Sequence, residues 1–213
     1  MGQELAVASG GGRCMIGGMK RIERGFFEVG VLDCARALVG CELRWGDCAG
    51  VVVETEAYAE HGDPACHTAS RPSTRVFIRD FPAGSAYVYF NYGMHWMLNV
   101  LTKSEADGNG LVLIRAVRPT VGVEVMRARR VARMRREPPG HDRWLCSGPG
   151  KLAAALGVTG DDHGRDLCGA GECGFFRSAG GMPEVVATPR IGISKAVDFP
   201  WRFVAAGDRH ASR

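Results

Sequence analysis

At 213 residues with 46% hydrophobic side chains, the chain is long enough to bury one substantial core and has the composition of a folded globular protein rather than a disordered or fibrous one. No apolar run approaches the roughly 20 residues that a membrane-crossing helix needs. The formal charge of +4 is mild for a nucleic-acid binder, so any electrostatic attraction to a polyanion must come from a local concentration of bases.

Residues 1–18 are glycine-rich and show no periodicity, which reads as an extension without fixed structure ahead of one domain over 19–213. Met15 and Met19 are both candidate translation starts. With no basic, apolar and small-residue succession at the N-terminus, the expected location is cytoplasmic: nucleoid-associated in a bacterium, nuclear in a eukaryote.

From Glu28 to Leu43, the spacing of Val29, Val31, Leu32, Ala35, Leu38 and Val39 suits a helix with one apolar face, closed by Gly40 before a strand over Cys41 to Arg44. Val51 to Tyr58 alternates as a strand, with Glu54, Glu56 and Tyr58 on one face and Val53, Thr55 and Ala57 on the other. Two carboxylates and an aromatic on one face make a poor core and a plausible pocket wall. The stretch between Tyr58 and Ala86, with three prolines, reads as a long irregular loop, and long loops more often carry function than decoration. It holds His67, which on its own is more often a backbone-bonded loop histidine or a metal ligand than a base-facing group.

Two aromatic-rich runs follow, Ala86 to Asn91 and His95 to Leu101, joined at Tyr92-Gly93. They read as a tight hairpin lifting Tyr92, with Met94 beside it, to the tip. A tip aromatic is usually a half-exposed packing residue and less often a wedge between stacked bases. Ser104 to Gly110 is a turn, and Leu111 to Ile114 a short apolar strand ending at Arg115, whose charge demands a partner if buried. Glu124 to Arg136 has helical composition and carries Arg127, Arg129, Arg130, Arg133, Arg135 and Arg136. Without these six, acids outnumber bases in the chain, so this segment concentrates the positive field, although such a run is most often a solvated face. After the break at Pro138-Pro139, Ser147 to Lys151 precedes an Ala/Leu-rich helix over Leu152 to Leu156; its exposed amides and lysine suit an anion or an ordinary cap equally. Asp161 to Gly181 is glycine-rich, with a candidate strand at Gly174 to Arg177, and Trp201 to Val204 reads as a terminal strand. Of the eight cysteines, the nearest approach to a metal pattern is His163, Cys168, Cys173, whose spacing is poor for zinc; free thiols and no metal are expected.

The ordered blocks VETEAY, His67, YVYFNYGMHWMLN, LVLIRA and CSGPGKL closely resemble the 3-methyladenine (alkyladenine or methylpurine) DNA glycosylases, from about Arg21 to about Val204. The loop STRVFIRDFPAG departs from the arginine-asparagine and methionine-phenylalanine steps usual in that family. The resemblance implies a single α+β domain with a curved, mostly antiparallel sheet flanked by helices and a protruding hairpin. It further implies a monomeric, cofactor-free, monofunctional enzyme acting on double-stranded DNA with damaged purines. A base inside a duplex is out of reach, so such an enzyme rotates the nucleotide outward and fills the gap, here with Tyr92 and Met94. By resemblance Tyr58, His67, Tyr89, Asn99 and Ile191 form the base pocket, with Asn99 crowding the exocyclic amine of guanine and a carbonyl near Ile191 helping to hold a water. Glu56 would be the general base, kept ionised by Arg115, with Glu54 left to a structural pairing. Aromatic walls are expected to favour electron-poor or cationic purines. Ser147, Lys151, Arg133, Arg135 and Arg136 are assigned to DNA phosphates. The alternatives are a non-catalytic binder of damaged DNA on the same fold, an enzyme acting on RNA or a nucleoside, and a small metal-thiol protein.

Overall fold

The computed structural model describes residues 19–134, 137–177 and 181–212, so residues 1–18 lie outside it. Its spine is the twelve-residue strand β2 (Cys48–Ala59), which follows β1 (Glu42–Trp45) through a tight turn. One edge of β2 pairs along its whole length with β5 (Gly110–Val121); its other edge pairs first with β1 and then, at Glu54 to Glu56, with β8 (Arg202–Ala205). The strands β3 (Ala86–Asn91), β4 (His95–Thr102), β6 (Gly174–Phe176) and β7 (Val185–Thr188) complete an eight-stranded antiparallel sheet of order β3-β4-β5-β2-β1-β6, with β7 and β8 branching from β2. The expected curved antiparallel α+β architecture with a protruding hairpin is present.

Both faces of β2 are buried, and helix α1 (Val31–Leu38) covers the Thr55 side, where the Thr55 hydroxyl donates to the Ala35 carbonyl at 2.8 Å. The helix buries Val31, Cys34, Ala35 and Leu38, one 3.6-residue stripe, and is shorter than the Glu28 to Leu43 expectation. Val29 and Leu32 fall off that stripe and stay exposed, and Gly40 turns the chain at φ 95°.

Two other expectations change. The apolar run at Leu111 to Ile114 is only a piece of β5, which stays buried from Gly110 through Val117 and leaves the core from Arg118 to Val121. The irregular loop after Tyr58 contains a nine-residue helix, α2 (Pro72–Asp80), with Thr74, Phe77 and Ile78 buried. Its prolines bracket the helix instead of breaking it. Pro72 sits in the first turn, where its missing N–H costs nothing, and Pro82 lies beyond the last. Helices α3 (Val123–Val131), α4 (Arg143–Cys146) and α5 (Pro149–Leu156) pack together against the sheet and share one buried core with α1. Among the described residues no three His, Cys, Asp or Glu side chains gather as metal ligands, and no helix is long and apolar enough to cross a membrane. His163 is engaged with the Val88 carbonyl at 2.9 Å rather than with Cys168 or Cys173.

Candidate functional site

The site begins at an irregularity in the β2–β5 ladder. Val52 faces Val117, Glu54 faces Ala116 and Thr55 faces Ile114, so Val53 on one strand and Arg115 on the other have no opposite number. Such bulges re-aim side chains. Here the guanidinium of Arg115 lies between two carboxylates of β2, its Nε 2.8 Å from Glu54 and its Nη1 3.1 Å from Glu56. Both carboxylates are fully buried and Arg115 nearly so.

The two glutamates are otherwise treated differently. Glu54 accepts from Arg202 Nε at 2.6 Å and from the amide and hydroxyl of Ser212 at 2.5 and 2.7 Å. Burial would raise its pKa, but Arg115, Arg202 and Ser212 together hold it below the usual carboxylate range. Glu56 instead accepts from the Tyr58 hydroxyl at 2.8 Å and the Ile191 amide at 2.7 Å. Burial, and next the charge of Glu56, push the Tyr58 hydroxyl well above its ordinary pKa, so it stays a donor. For Arg115 burial acts against the charge, but Glu56 and Glu54 reverse that and stabilise the cation.

Tyr58, Arg115 and Ile191 each turn another surface to a cleft of about 510 Å³, within the size range of small-molecule sites. The two carboxylates do not stand on its wall as the alternation suggested. They lie one layer behind it, because β8, the segment before it and Ser212 close over that face of β2. His67, Tyr89 and Asn99 also line the cleft, so all five expected pocket residues meet there. His67 Nδ1 is 3.2 Å from the Tyr87 hydroxyl, and its ring meets Tyr89 edge-on at 4.4 Å. Partial burial and then the charge of Arg71 lower the His67 pKa to about 4, so the ring is neutral near pH 7. Burial, with Tyr87 next, takes Tyr89 up to about 12. Asn99 is buried, its amide donating to the Tyr87 carbonyl at 3.1 Å. Near Ile191 it is the amide that takes part, bonded to Glu56, where a carbonyl had been expected to help hold a water.

Sequence reasoning missed three contributors. Tyr87 links the hydroxyl of Thr74 and the ring of His67 beneath the cleft. Arg71 lines it and faces the Tyr89 ring. Arg190 makes a bidentate pair with Asp63 at 2.6 and 2.9 Å, donates to the Ala57 carbonyl at 2.8 Å, and lies against the rings of Tyr58 and Trp201. That pair ties the loop after β2 to the loop carrying Ile191. An arginine directly before Ile191 and an aspartate five residues after Tyr58 were visible, but nothing local in the sequence pairs them.

The hairpin tip stands at the cleft's edge. Tyr92 adopts φ 48° ahead of Gly93 at φ 66°, is 82% exposed and lines the opening, and Met94 is also exposed. Pro149, at the start of α5, lines the same opening, and Gly150 packs so closely on the His95 ring that a Cβ there would lie 2.7 Å from it. The amides of α5's first turn have no side-chain cap. Ser147 bridges to Ala116 just before it, and Lys151, exposed, has its pKa lowered by partial burial and by Arg130 and Arg143 nearby.

The arginine-rich segment is less uniform than its composition implied. Arg127 pairs with Asp142 and Glu124, Arg129 caps the Ala155 and Leu156 carbonyls at the end of α5 at 3.2 and 2.8 Å, and Arg130 lies against Trp144. Arg133 is exposed, while Arg135 and Arg136 lie outside the described residues.

A family model described as methylpurine-DNA glycosylase matches residues 25–209. A Rhodopseudomonas palustris protein named "Putative 3-methyladenine DNA glycosylase" is 45% identical over 192 residues, covering 90% of this chain and 88% of that one. Proteins of the same name from Nitrosospira multiformis (41% over 189 residues, 88% and 91% covered) and Rubrobacter xylanophilus (43% over 178 residues, 81% and 87% covered) are also similar.

Proposed function

The chain belongs to the methylpurine-DNA glycosylase family, and on that footing we propose that it rotates a damaged purine out of duplex DNA and hydrolyses its N-glycosidic bond with a water activated by Glu56. The observation that carries this is the Glu56 carboxylate, held by Tyr58, Arg115 and Ile191 directly behind the cleft that those same three residues line. Departure of the base leaves positive charge on the sugar, which an adjacent carboxylate stabilises while it takes the proton of the attacking water. Glu56 has no accessible surface, so water reaches it only when the Tyr58 hydroxyl or the Ile191 amide releases its bond. A base entering between Tyr58 and the Ile191 loop supplies the displacement.

Tyr92 and Met94 take the place of the extruded nucleotide, and the uncapped start of α5 with Ser147 and Lys151 holds a backbone phosphate. Arg133, with Arg135 and Arg136, adds attraction to the duplex from its side. The protein acts as a monomer on double-stranded DNA and leaves an abasic site unbroken. Lys195 reaches the cleft's edge, but a lysine nucleophile needs an apolar pocket or a neighbouring cation to activate it, and Lys195 sits exposed on a loop.

The test is a duplex carrying one hypoxanthine, ethenoadenine or 7-methylguanine, incubated with protein and then treated with alkali. A strand break only after alkali supports the reading; a break without alkali, or borohydride trapping at Lys195, overturns its monofunctional part. Glu56→Gln should abolish release while the folded variant still binds damaged duplex, and Glu54→Gln should act mainly on stability. The burial of Glu56 favours a second reading, a binder that recognises damage without cutting, for which tight binding and no release by the wild-type protein would speak.

A further inference from the structure

Two guanidinium groups lie against the aromatic walls of the cleft, and they differ in what neutralises them. Arg190, 4.7 Å from the centroid of Tyr58, is cancelled by its bidentate pairing with Asp63. Arg71, 5.3 Å from the centroid of Tyr89 and itself part of the cleft lining, is exposed, and no carboxylate of the described residues forms an ion pair with it. None of the side chains lining the cleft is an aspartate or glutamate. Glu56 lies behind the wall with its charge taken up by Arg115, and the other rim charge, Lys195, is also positive.

Aromatic walls attract a cation through the negative face of the ring. A face already opposite a guanidinium has less to offer a second positive charge, and that second charge is also repelled by the first. A purine quaternised at N7 or N3 therefore loses both the usual reward of an aromatic pocket and the compensation of a facing carboxylate. A neutral purine keeps the stacking and hydrogen bonding and meets no repulsion. His67, uncharged near pH 7, adds nothing to the positive field.

We propose that this cleft sorts purine lesions by charge, taking the neutral ones, deaminated hypoxanthine and ring-closed ethenoadenine, ahead of cationic N-alkylated purines, and that Arg71 is the residue that sets this order. The inference deepens the glycosylase reading and rests on it. It departs from the expectation that aromatic walls here reward cationic bases.

The experiment compares single-turnover release of hypoxanthine and of 7-methylguanine from otherwise identical duplexes, corrected for spontaneous depurination, by the wild-type protein, Arg71→Gln and Arg71→Lys. Removing one exposed charge that faces the cleft wall should raise the ratio of 7-methylguanine to hypoxanthine release about fivefold in Arg71→Gln. Arg71→Lys, which keeps the charge, should hold the ratio within about twofold of wild type, and salt should narrow the wild-type preference because it screens an exposed charge. An unchanged ratio in Arg71→Gln, with both rates falling together, overturns the proposal, because that pattern belongs to a cation holding the DNA backbone. Release of neither lesion by the folded wild-type protein brings down the glycosylase reading itself, and the charge order with it.

Discussion

Replacing Asp63 with asparagine should be among the most damaging single-atom changes in the molecule. The Asp63 and Arg190 side chains have no solvent exposure, and the carboxylate accepts two of the three hydrogen bonds that the guanidinium donates to the described residues. Arg190 Nε is already buried without a partner, so nothing is in reserve to compensate. Asparagine keeps the shape and removes the charge, leaving a buried cation unpaired, which costs about 3–5 kcal/mol. For a chain of this length each kcal/mol lowers the melting temperature by about 2–4 °C, so thermal unfolding followed by circular dichroism should show a fall of roughly 6–20 °C. Asp63 also accepts from the Ala65 amide at 3.0 Å, a bond that the asparagine oxygen can keep, so the loss falls on the pairing with Arg190. Replacing both partners by apolar residues of similar volume, Asp63→Leu with Arg190→Met, should recover a large part of the stability, since the uncompensated charge is the main cost. A drop below about 2 °C in Asp63→Asn would refute the reasoning, because it would mean that water or a local rearrangement already solvates Arg190.

Other consequences follow from the same geometry. Tyr92→Ala should leave the melting temperature unchanged, since the side chain is 82% exposed, while sharply lowering release from duplex DNA and sparing release from a single strand; equal losses on both substrates would remove the wedge. His67 is held neutral with a folded pKa of about 4 against an ordinary 6.5, so below pH 6.5 the unfolded chain takes up the proton first and stability falls with pH down to about 4. His67→Gln should flatten a urea-unfolding profile in that window, and an unchanged slope would contradict the assignment. Gly110→Ala would set a methyl 2.6 Å from Val31 and 2.9 Å from the Tyr58 carbonyl, forcing α1 off the sheet at about 1–3 kcal/mol; denaturant midpoints would register it, and no change would show that the packing there relaxes freely. Neutralising Arg133, Arg135 and Arg136 together should reduce the salt dependence of duplex binding by about 0.9 in log-log slope for each phosphate that no longer meets an arginine, and an intact slope would return them to a solvated face.

What the sequence made legible was mainly local. The hairpin, its tip and β2 are set by alternation and a glycine at a position that needs positive φ, and these signals lie within a few residues of the structure they specify. Helix α2 was hidden because its prolines were read as breakers, when their positions at the first turn and beyond the last make them boundaries. The burial of Glu54 and Glu56 was hidden for a different reason. Alternation reports which side chains share a face, but what covers that face arrives from Ile191, Arg202 and Ser212, more than 130 positions away. A comparable distance, 127 positions, separates Asp63 from Arg190. The arginine run misled because composition counts charges before any are neutralised, and Arg127, Arg129 and Arg130 are largely engaged within the protein.

The donor count around the two carboxylates bears on which of them is the base. A carboxylate offers about four acceptor positions. Glu54 meets four donors, Arg115, Arg202 and the Ser212 hydroxyl on Oε1 and the Ser212 amide on Oε2, all within 2.8 Å. Glu56 has three donors, and its Oε1 takes only the Ile191 amide, so one position remains able to accept a water proton. Arg115 serves both, yet its effect on the two is unequal. At Glu54 it is one of two cations, which favours a carboxylate that stays ionised and does not exchange protons. At Glu56 it is the sole cation bonded among the described residues, joined by a neutral hydroxyl and an amide. The less tightly held carboxylate is also the one whose neighbours, Tyr58 and Ile191, face the cleft. Sharing one guanidinium thus lets the fold bury two acids side by side, with Glu54 the more tightly held of the two.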